Sequence, residues 1–165
     1  MSEQGTVYFE FIESELEAER ERRKSLDSRG ASVVTTSSAL ATAVFALGAL
    51  VTGQTSFTPD KVTTWSLLAG LALFGAAAFC GLMANRTIPY EVTDTSTLEE
   101  MRSGHWADDE VDARNITIYR NIQTIMTLRD GNNEKASWVT RAFVVQLLAA
   151  AALLVAVGNA LLAAT

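Results

Sequence analysis

The sequence predicts an all-α membrane protein with three transmembrane helices, an N-terminal hairpin plus a C-terminal span, and further helices in the cytoplasm. Three long runs without Asp, Glu, Lys or Arg lie at residues 31–51, 62–85 and 142–164. Each is close to the roughly 20 residues that cross a hydrocarbon core about 30 Å thick. A buried helix of a soluble protein could explain one such run, but three in 165 residues favour a membrane bundle.

The lysines and arginines predict the orientation of these spans. Five precede the first run, Lys61 alone lies between the first and second, seven lie between the second and third, and none follows the third. Basic residues collect on the cytoplasmic side of a membrane. We therefore expect a multi-pass protein of the cell inner (plasma) membrane with its N-terminus in the cytoplasm and its C-terminus outside. The short segment 53–60 makes the first two spans antiparallel neighbours.

We expect a single domain with four consecutive parts. Residues 1–30 form a charged, amphipathic cytoplasmic helix, residues 31–85 a transmembrane hairpin, residues 86–141 a cytoplasmic helical segment, and residues 142–165 the third transmembrane helix. No proline separates the first part from the second, and Gly30 is the only weak helix former at the junction. The sequence therefore predicts one nearly continuous helix that passes from the cytoplasm into the first span.

Capping signals and apolar spacing predict the cytoplasmic helices. Ser96 and Glu99 have the spacing of a capping box, which predicts a short helix. The acids at 108–110 are typical of the first turn of a longer amphipathic helix, and "DGNN" at 130–133 is expected to break or bend that helix. The apolar faces comprise Phe9, Ile12 and Leu16 before the first span, and Val111, Ile118, Ile122 and Ile125 after the second.

Small and hydroxyl side chains recur at helical spacing within the spans. Small residues let helix backbones approach closely in lipid. The candidates for helix packing or self-association are Ala72, Ala76, Ala77, Gly81, Ala152, Ala156 and Ala160. Thr35, Ser38 and Thr42 form a polar face on the first span, whose hydroxyls either bond to backbone or neighbouring helices or line a polar pore. Tyr8 and Phe11 add an apolar patch that is expected to pack on the other cytoplasmic helices or on another copy, and we expect a homo-oligomer.

Composition and motifs argue against several classes of function. The net charge of -6 disfavours nucleic acid as a partner, because phosphate binding needs clustered Lys and Arg. The single cysteine, Cys80, cannot form an intramolecular disulfide and is expected to be a buried structural thiol. His105 stands alone, and no phosphate loop, catalytic triad or metal-ligand spacing occurs. We expect no enzyme activity, cofactor or metal, and the absence of ionisable groups in the spans argues against a pump.

The layout carries a resemblance to a known family. "ERERRKSLDSRGASVVTTSSAL" leads into the hairpin and "NNEKASWVTRAFVVQLLAAAALL" into the last span, and their most suggestive pieces are "RKSLDSRGA" and "NNEKA". Over nearly the whole chain, this architecture resembles the small bacterial membrane effectors of nucleotide-based antiphage defence, the SLATT and Pycsar transmembrane (PycTM) families. The resemblance implies a self-associating, pore-like or membrane-disrupting effector that responds to a nucleotide second messenger. The chain has no recognisable nucleotide-binding domain, so a separate cytoplasmic sensor or the cytoplasmic helices would receive the signal.

A second hypothesis belongs to a different class of function. The chain could be a non-catalytic membrane scaffold or accessory subunit that docks a cytoplasmic partner through its helices. The two hypotheses differ in what they do to a membrane, because an effector makes the bilayer leak when it is active and a scaffold does not.

Overall fold

The structure is a computed structural model that describes residues 3–52 and 60–163. Within these residues it is all-α, with four helices and no strand, and 89% of the residues are helical, which confirms the all-α part of the predicted fold class. The helices are α1 (Glu3–Thr52), α2 (Lys61–Asn85), α3 (Thr95–Ser103) and α4 (Glu110–Ala163).

Two helices in the described part of the chain are long and apolar enough to cross a membrane. They are α2, over Lys61–Asn85, and α4, over Glu110–Ala160. The first predicted span, 31–51, is helical within α1 but is not one of these two, so three spans are not confirmed. The predicted connection at 53–59 and the C-terminal residues 164–165 lie outside the described residues.

The helix α1 confirms the predicted continuity of the N-terminal part with the first apolar run. It continues without interruption, and Gly30 is helical. Ion pairs spaced three residues apart lie on its exposed surface, with Glu17 and Arg20 at 3.7 Å and Glu21 and Lys24 at 2.5 Å. Such pairs, together with side chains that lose little rotamer freedom in a helix, favour helix over this stretch.

Two carboxylates define where α3 and α4 begin. The carboxylate of Asp94 accepts hydrogen bonds from the backbone N–H of Thr95 at 2.7 Å and from the Ser96 hydroxyl at 2.8 Å. The short helix is therefore present as predicted, but Asp94 caps it and the expected cap at Ser96 is wrong. At α4, Asp109 accepts from the backbone N–H groups two and three residues later, at 2.8 and 3.0 Å. This is the helix-start role expected for the acids at 108–110.

The predicted break at 130–133 is wrong, because α4 continues through "DGNN". A Cβ atom on Gly131 would lie 3.2 Å from Cγ2 of Ile88, so the glycine permits close contact with the extended segment 87–94. The next residue, Asn132, is fully buried and hydrogen-bonded to α1. Tertiary packing at this point outweighs the low helix propensity of Gly and Asn.

The chain divides into two compact units. Unit 1 comprises Met1–Ser25 and Thr87–Glu134, and unit 2 comprises Leu26–Arg86 and Lys135–Thr165. The helices α1 and α4 contribute to both units, α3 belongs to unit 1 and α2 belongs to unit 2.

The core of unit 1 lies between α1 and α4. Leu16 packs with Ile125 and Leu128. On the predicted apolar face of α4, Ile125 is buried, but Val111 and Ile122 are exposed. The buried residues of α4 instead form a stripe in which they recur at alternating intervals of three and four residues. This is the spacing of a helix pair with heptad packing.

Within unit 1, α1 and α4 run parallel. The guanidinium of Arg114 donates to the Thr6 hydroxyl at 3.4 Å, and farther along both helices Arg129 donates to the carboxylate of Glu15 at 2.9 Å. Both helices advance in the same direction between these two contacts, so their axes point the same way.

Unit 2 is a packing of three helices with small residues inside. One buried cluster consists of Leu26, Ala84 and Val139, and a second consists of Val33, Ala77 and Ala142. Each cluster takes one side chain from α1, one from α2 and one from α4. The alanines permit the short distances between helix axes that close packing requires.

Candidate functional site: polar clusters between the helices

A charged cluster lies between α1 and α4 in unit 1. Glu19 is only 7% exposed, and its carboxylate accepts hydrogen bonds from Nε of Arg129 at 2.8 Å and from Nδ2 of Asn132 at 2.9 Å. Nδ2 of Asn132 also donates to the backbone oxygen of Glu19 at 2.9 Å. Arg129 bridges onward to Glu15. Glu19 and Asn132 thus occupy core positions that an ordinary helix pair fills with apolar side chains.

The surroundings of Glu19 determine its charge. Burial on its own raises the pKa of the Glu19 carboxyl, because the charged form loses hydration. The hydrogen bonds from Arg129 and Asn132 and the positive charges of Arg22 and Arg129 outweigh burial and lower that pKa below its ordinary value. Reciprocally, the hydrogen bonds to Glu19 and then to Glu15 raise the pKa of Arg129. Glu19 is therefore ionised at neutral pH.

Arg23 attaches the segment 87–94 to α1 in the same unit. Arg23 donates to the backbone oxygen of Ile88 at 2.6 Å, and its guanidinium lies 4.8 Å from the centroid of the Tyr90 ring. The backbone N–H of Glu91 donates to the hydroxyl of Thr127 on α4 at 3.0 Å. The extended segment therefore closes one flank of the helix pair.

A second polar cluster lies among the three helices of unit 2. Lys135 of α4 is only 2% exposed, and its ammonium group donates to the carboxylate of Asp27 on α1. With its amide oriented to satisfy both neighbours, Asn85 of α2 donates to the backbone oxygen of Asp27 at 2.8 Å and accepts from the N–H of Ala31 at 3.0 Å. Each helix of unit 2 thus contributes one polar group to this cluster.

Glycines bring α1 and α2 into backbone contact beside this cluster. A Cβ atom on Gly81 would lie 2.9 Å from the backbone oxygen of Gly30 and 2.9 Å from Cγ2 of Val34. A Cβ atom on Gly30 would lie 2.9 Å from the side-chain amide of Asn85. Neither position accommodates a larger residue unless the helices move apart.

The two stretches that carry the family resemblance contact each other within each unit. In unit 2, Asp27 of "RKSLDSRGA" pairs with Lys135 of "NNEKA". In unit 1, Asn133 accepts a hydrogen bond from Arg22 at 2.9 Å. Sequence reasoning singled out these stretches without finding the contacts. The feature of the sequence that indicates these contacts is the presence of polar residues on the buried stripe of α4, which is otherwise apolar.

The predicted packing residues take different environments. Ala77, Gly81 and Ala156 are buried, Ala152 and Ala160 are half-buried, and Ala72 and Ala76 are exposed on α2.

The predicted polar face lies on the exposed side of α1. Thr35 and Thr42 donate to the backbone oxygens four residues earlier, at 3.1 and 2.9 Å, and Ser38 is also exposed. The hydroxyl that is buried is that of Ser37, which has no hydrogen-bond partner among the described residues. Cys80 is half-buried rather than buried.

An open cleft of about 410 Å³ lies between α3 and α4 in unit 1. Glu100, His105, Tyr119 and Arg120 are among its lining residues. Nδ1 of His105 lies 2.9 Å from the carboxylate of Asp108. The residues that the structure describes contain no group of three or more His, Cys, Asp or Glu side chains that could hold a metal ion.

No protein-family model, curated protein or solved structure matches this chain.

Proposed function

We propose that this chain is an integral protein of the cell inner membrane and that unit 2 crosses the bilayer. The supporting observation is the distribution of side-chain sizes in unit 2. Many large apolar side chains are more than half exposed, whereas the buried side chains are mainly small, with Phe74 as the largest exception. The exposed set includes Trp65, Phe79, Leu147 and Leu154, and the buried set includes Gly70, Ala77, Ala142, Ala149 and Ala156.

This inside-out arrangement is costly in water and favourable in lipid. Contiguous exposed apolar surface in a soluble protein marks an interface, and here it surrounds the helices on several sides. Lipid tails solvate large apolar side chains, while helix association relies on small residues. The distribution of Lys and Arg supports an orientation with the N-terminus in the cytoplasm and the C-terminus outside.

In that membrane, the chain acts as a non-catalytic effector. Copies associate and open a pore-like path or disrupt the bilayer, in response to a nucleotide second messenger received directly or through a separate sensor during antiphage defence. The exposed hydroxyls of Thr35, Ser38 and Thr42 favour a pore over passive anchoring. Thr35 and Thr42 donate to their own backbone, but each hydroxyl oxygen keeps acceptor capacity, so this exposed face of α1 can also bind water where several copies surround a path.

Dye leakage from liposomes tests this function. The chain with Thr35→Val, Ser38→Ala and Thr42→Val should release dye at least several-fold more slowly than the unaltered chain, because the substituted face no longer hydrates a path. Thr140→Val is the matched control. Its hydroxyl is also exposed and also donates to a carbonyl four residues earlier, at 2.9 Å, but it lies on α4. Leakage with the control should be unchanged.

Induced expression in bacteria gives a second readout. The effector should arrest growth, and the triple substitution should relieve the arrest. Adding cyclic nucleotides to the liposomes, with and without lysate from infected cells, tests the trigger. If no condition produces leakage or growth arrest, the effector proposal is wrong.

A scaffold is the second candidate, and one observation favours it. The turn after α3 leaves Trp106 83% exposed, and Leu98 on α3 is also mostly exposed. An exposed Trp side chain is a typical anchor for a protein partner, and Leu98 on the neighbouring α3 adds to the exposed apolar surface. If this function holds, Trp106→Ala should abolish co-purification of a partner, while liposomes containing the unaltered chain stay tight.

A further inference from the structure

The helix pair of unit 1 has one closed flank and one open flank. Gly131 packs against Ile88 on the closed flank. Arg129, two residues earlier on α4 and therefore on the opposite side of the helix, forms the ion pair with Glu15 of α1. That ion pair marks the open flank.

Polar residues continue the open flank beyond this ion pair, where Arg22 bonds to Asn133, and apolar side chains cover the part of the flank that precedes it. Tyr8 lies seven residues, or about two helical turns, before Glu15, and Phe11 lies one turn before it. On α4, Ile122 and Tyr119 precede Arg129 by seven and ten residues, and Met126 precedes it by three. The apolar part of the open flank thus consists of Tyr8, Phe11, Tyr119, Ile122 and Met126, whose exposed fractions range from 38% to 66%. Tyr119 lies at the edge of this surface, where it also lines the cleft between α3 and α4.

We propose that the open flank is the interface through which two copies of this chain associate. The open flank combines residues of α1 and α4 that lie at matching positions along the two helix axes, and the two helices run parallel. A two-fold axis along the pair therefore brings α1 of one copy against α4 of the other, and each copy offers the same patch. The proposal deepens the self-association of the proposed function, and it rests on that function for the shared membrane that holds the copies close together.

The area of the open flank is sufficient for such an interface. Three aromatic side chains of roughly 200 Å² each, more than half exposed, together with Ile122 and Met126, leave roughly 500 Å² of apolar surface per copy. Two copies would bury about 1,000 Å², which is the lower bound for a specific interface.

Cysteine cross-linking in membranes tests this contact. In a Cys80→Ala background, Phe11→Cys on one tagged copy and Tyr119→Cys on another should form a disulfide-linked dimer upon mild oxidation. Glu13→Cys is the matched control on the first copy. Glu13 is also exposed on α1, but it lies two residues past Phe11 and on the opposite side of the helix, so it should not cross-link.

Substitution of the open flank provides an independent test. Phe11→Glu or Met126→Glu should weaken self-association of the full chain in nanodiscs at least about tenfold, as loss of a central apolar anchor does. Val92→Glu, at an exposed site of unit 1 outside the open flank, should not. Circular dichroism will verify that all variants remain helical.

Three outcomes would overturn the proposal: a monomeric chain in nanodiscs, equal cross-linking by the control, or a different protein found bound over Phe11. A specific dimer in liposomes that do not leak would support the open flank as the dimer interface. It would contradict the proposed pore and leave the interface standing.

Discussion

Glu19 and Asn132 in the core of unit 1 should be strongly coupled in their effects on the free energy of unfolding. Asn132 is fully buried and Glu19 nearly so. Removing one partner leaves the other buried with fewer hydrogen bonds, at a cost of about 1.5–3 kcal/mol for a bond to a charged group. Asn132→Leu alone and Glu19→Leu alone should therefore each lower the free energy of unfolding by roughly 2 kcal/mol.

The double substitution should remove most of the loss caused by each single substitution. With Leu at both positions, neither polar group remains to be satisfied, and the stripe of Leu16, Ile125 and Leu128 continues as an ordinary apolar heptad. Replacing both members of a buried polar pair is often neutral or stabilising. The double variant should unfold within about 1 kcal/mol of the unaltered chain, which gives a coupling energy of roughly 3 kcal/mol.

Thermal unfolding in detergent micelles, followed by circular dichroism, measures this cycle. For a chain of this size, 1 kcal/mol shifts the midpoint by about 2–4 °C, so each single variant should melt roughly 4–8 °C lower. Asn115→Leu is the control, because Asn115 is exposed on α4 and surface changes away from the core stay within about 0.5 kcal/mol. If the double variant loses the sum of the two single losses, the pair is not coupled and the reasoning fails.

The same cycle has a pH dependence of known sign. The pKa of Glu19 is lowered in the folded chain, so the stability that its ionised form contributes is fully present above the ordinary carboxyl pKa of 4.5. It is lost as the pH falls through the lower folded value. The difference in melting midpoint between the Asn132→Leu and double variants should change across this acidic range and stay constant between pH 6 and 8.

Five further substitutions test unit 2 and α3. Gly81→Ala should destabilise by about 1–3 kcal/mol through overpacking, whereas Gly75→Ala, which has open space around it, should stabilise by up to about 1 kcal/mol; both are read from melting midpoints. Asp27→Asn should cost about 2 kcal/mol and more than Lys135→Met, because it leaves a buried ammonium group without its counter-charge, so an equal or reversed order would contradict the ion-pair assignment. Asp94→Ala should lower the stability of α3 by about 1 kcal/mol, visible as faster amide exchange confined to that helix.

Local chemistry was enough to predict the existence of the helices. The absence of proline predicted that α1 continues through Gly30, and the acids near Asp109 predicted the start of α4. Local chemistry was insufficient where two signals competed. Asp94 and Ser96 are both good caps, and only the observed hydrogen bonds distinguish them.

Contacts far apart in the sequence explain the remaining misses. The "DGNN" stretch is helical because Gly131 permits contact with Ile88 and because Asn132 bonds to Glu19. Neither contact is visible in a local window. The pairing of Asp27 with Lys135 joins residues 108 positions apart, and only the placement of a charged residue on an apolar stripe could have suggested it.

The polar pairs also determine how α4 aligns with α1. An apolar heptad stripe is nearly indifferent to a shift of seven residues, because it places one apolar side chain where another was. In unit 1, such a shift would put Ile125 in the position of Asn132 and remove an amide donor from the buried carboxylate of Glu19. The shifted chain would lose about as much stability as Asn132→Leu does, roughly 2 kcal/mol. The pair therefore favours the observed alignment.

A buried polar pair also fixes the alignment of α4 in unit 2. The helix contacts there are made mainly by alanine, which fits equally well in several alignments. The same shift of α4 by seven residues would put Leu128 opposite Asp27 and move Lys135 to the buried place of Ala142, so its ammonium group would be buried without its carboxylate. Breaking a buried ion pair is strongly unfavourable, even when forming the pair adds little net stability. Buried polar pairs at these positions therefore contribute specificity of alignment more than stability, and the Asp27→Asn and Lys135→Met variants separate the two effects.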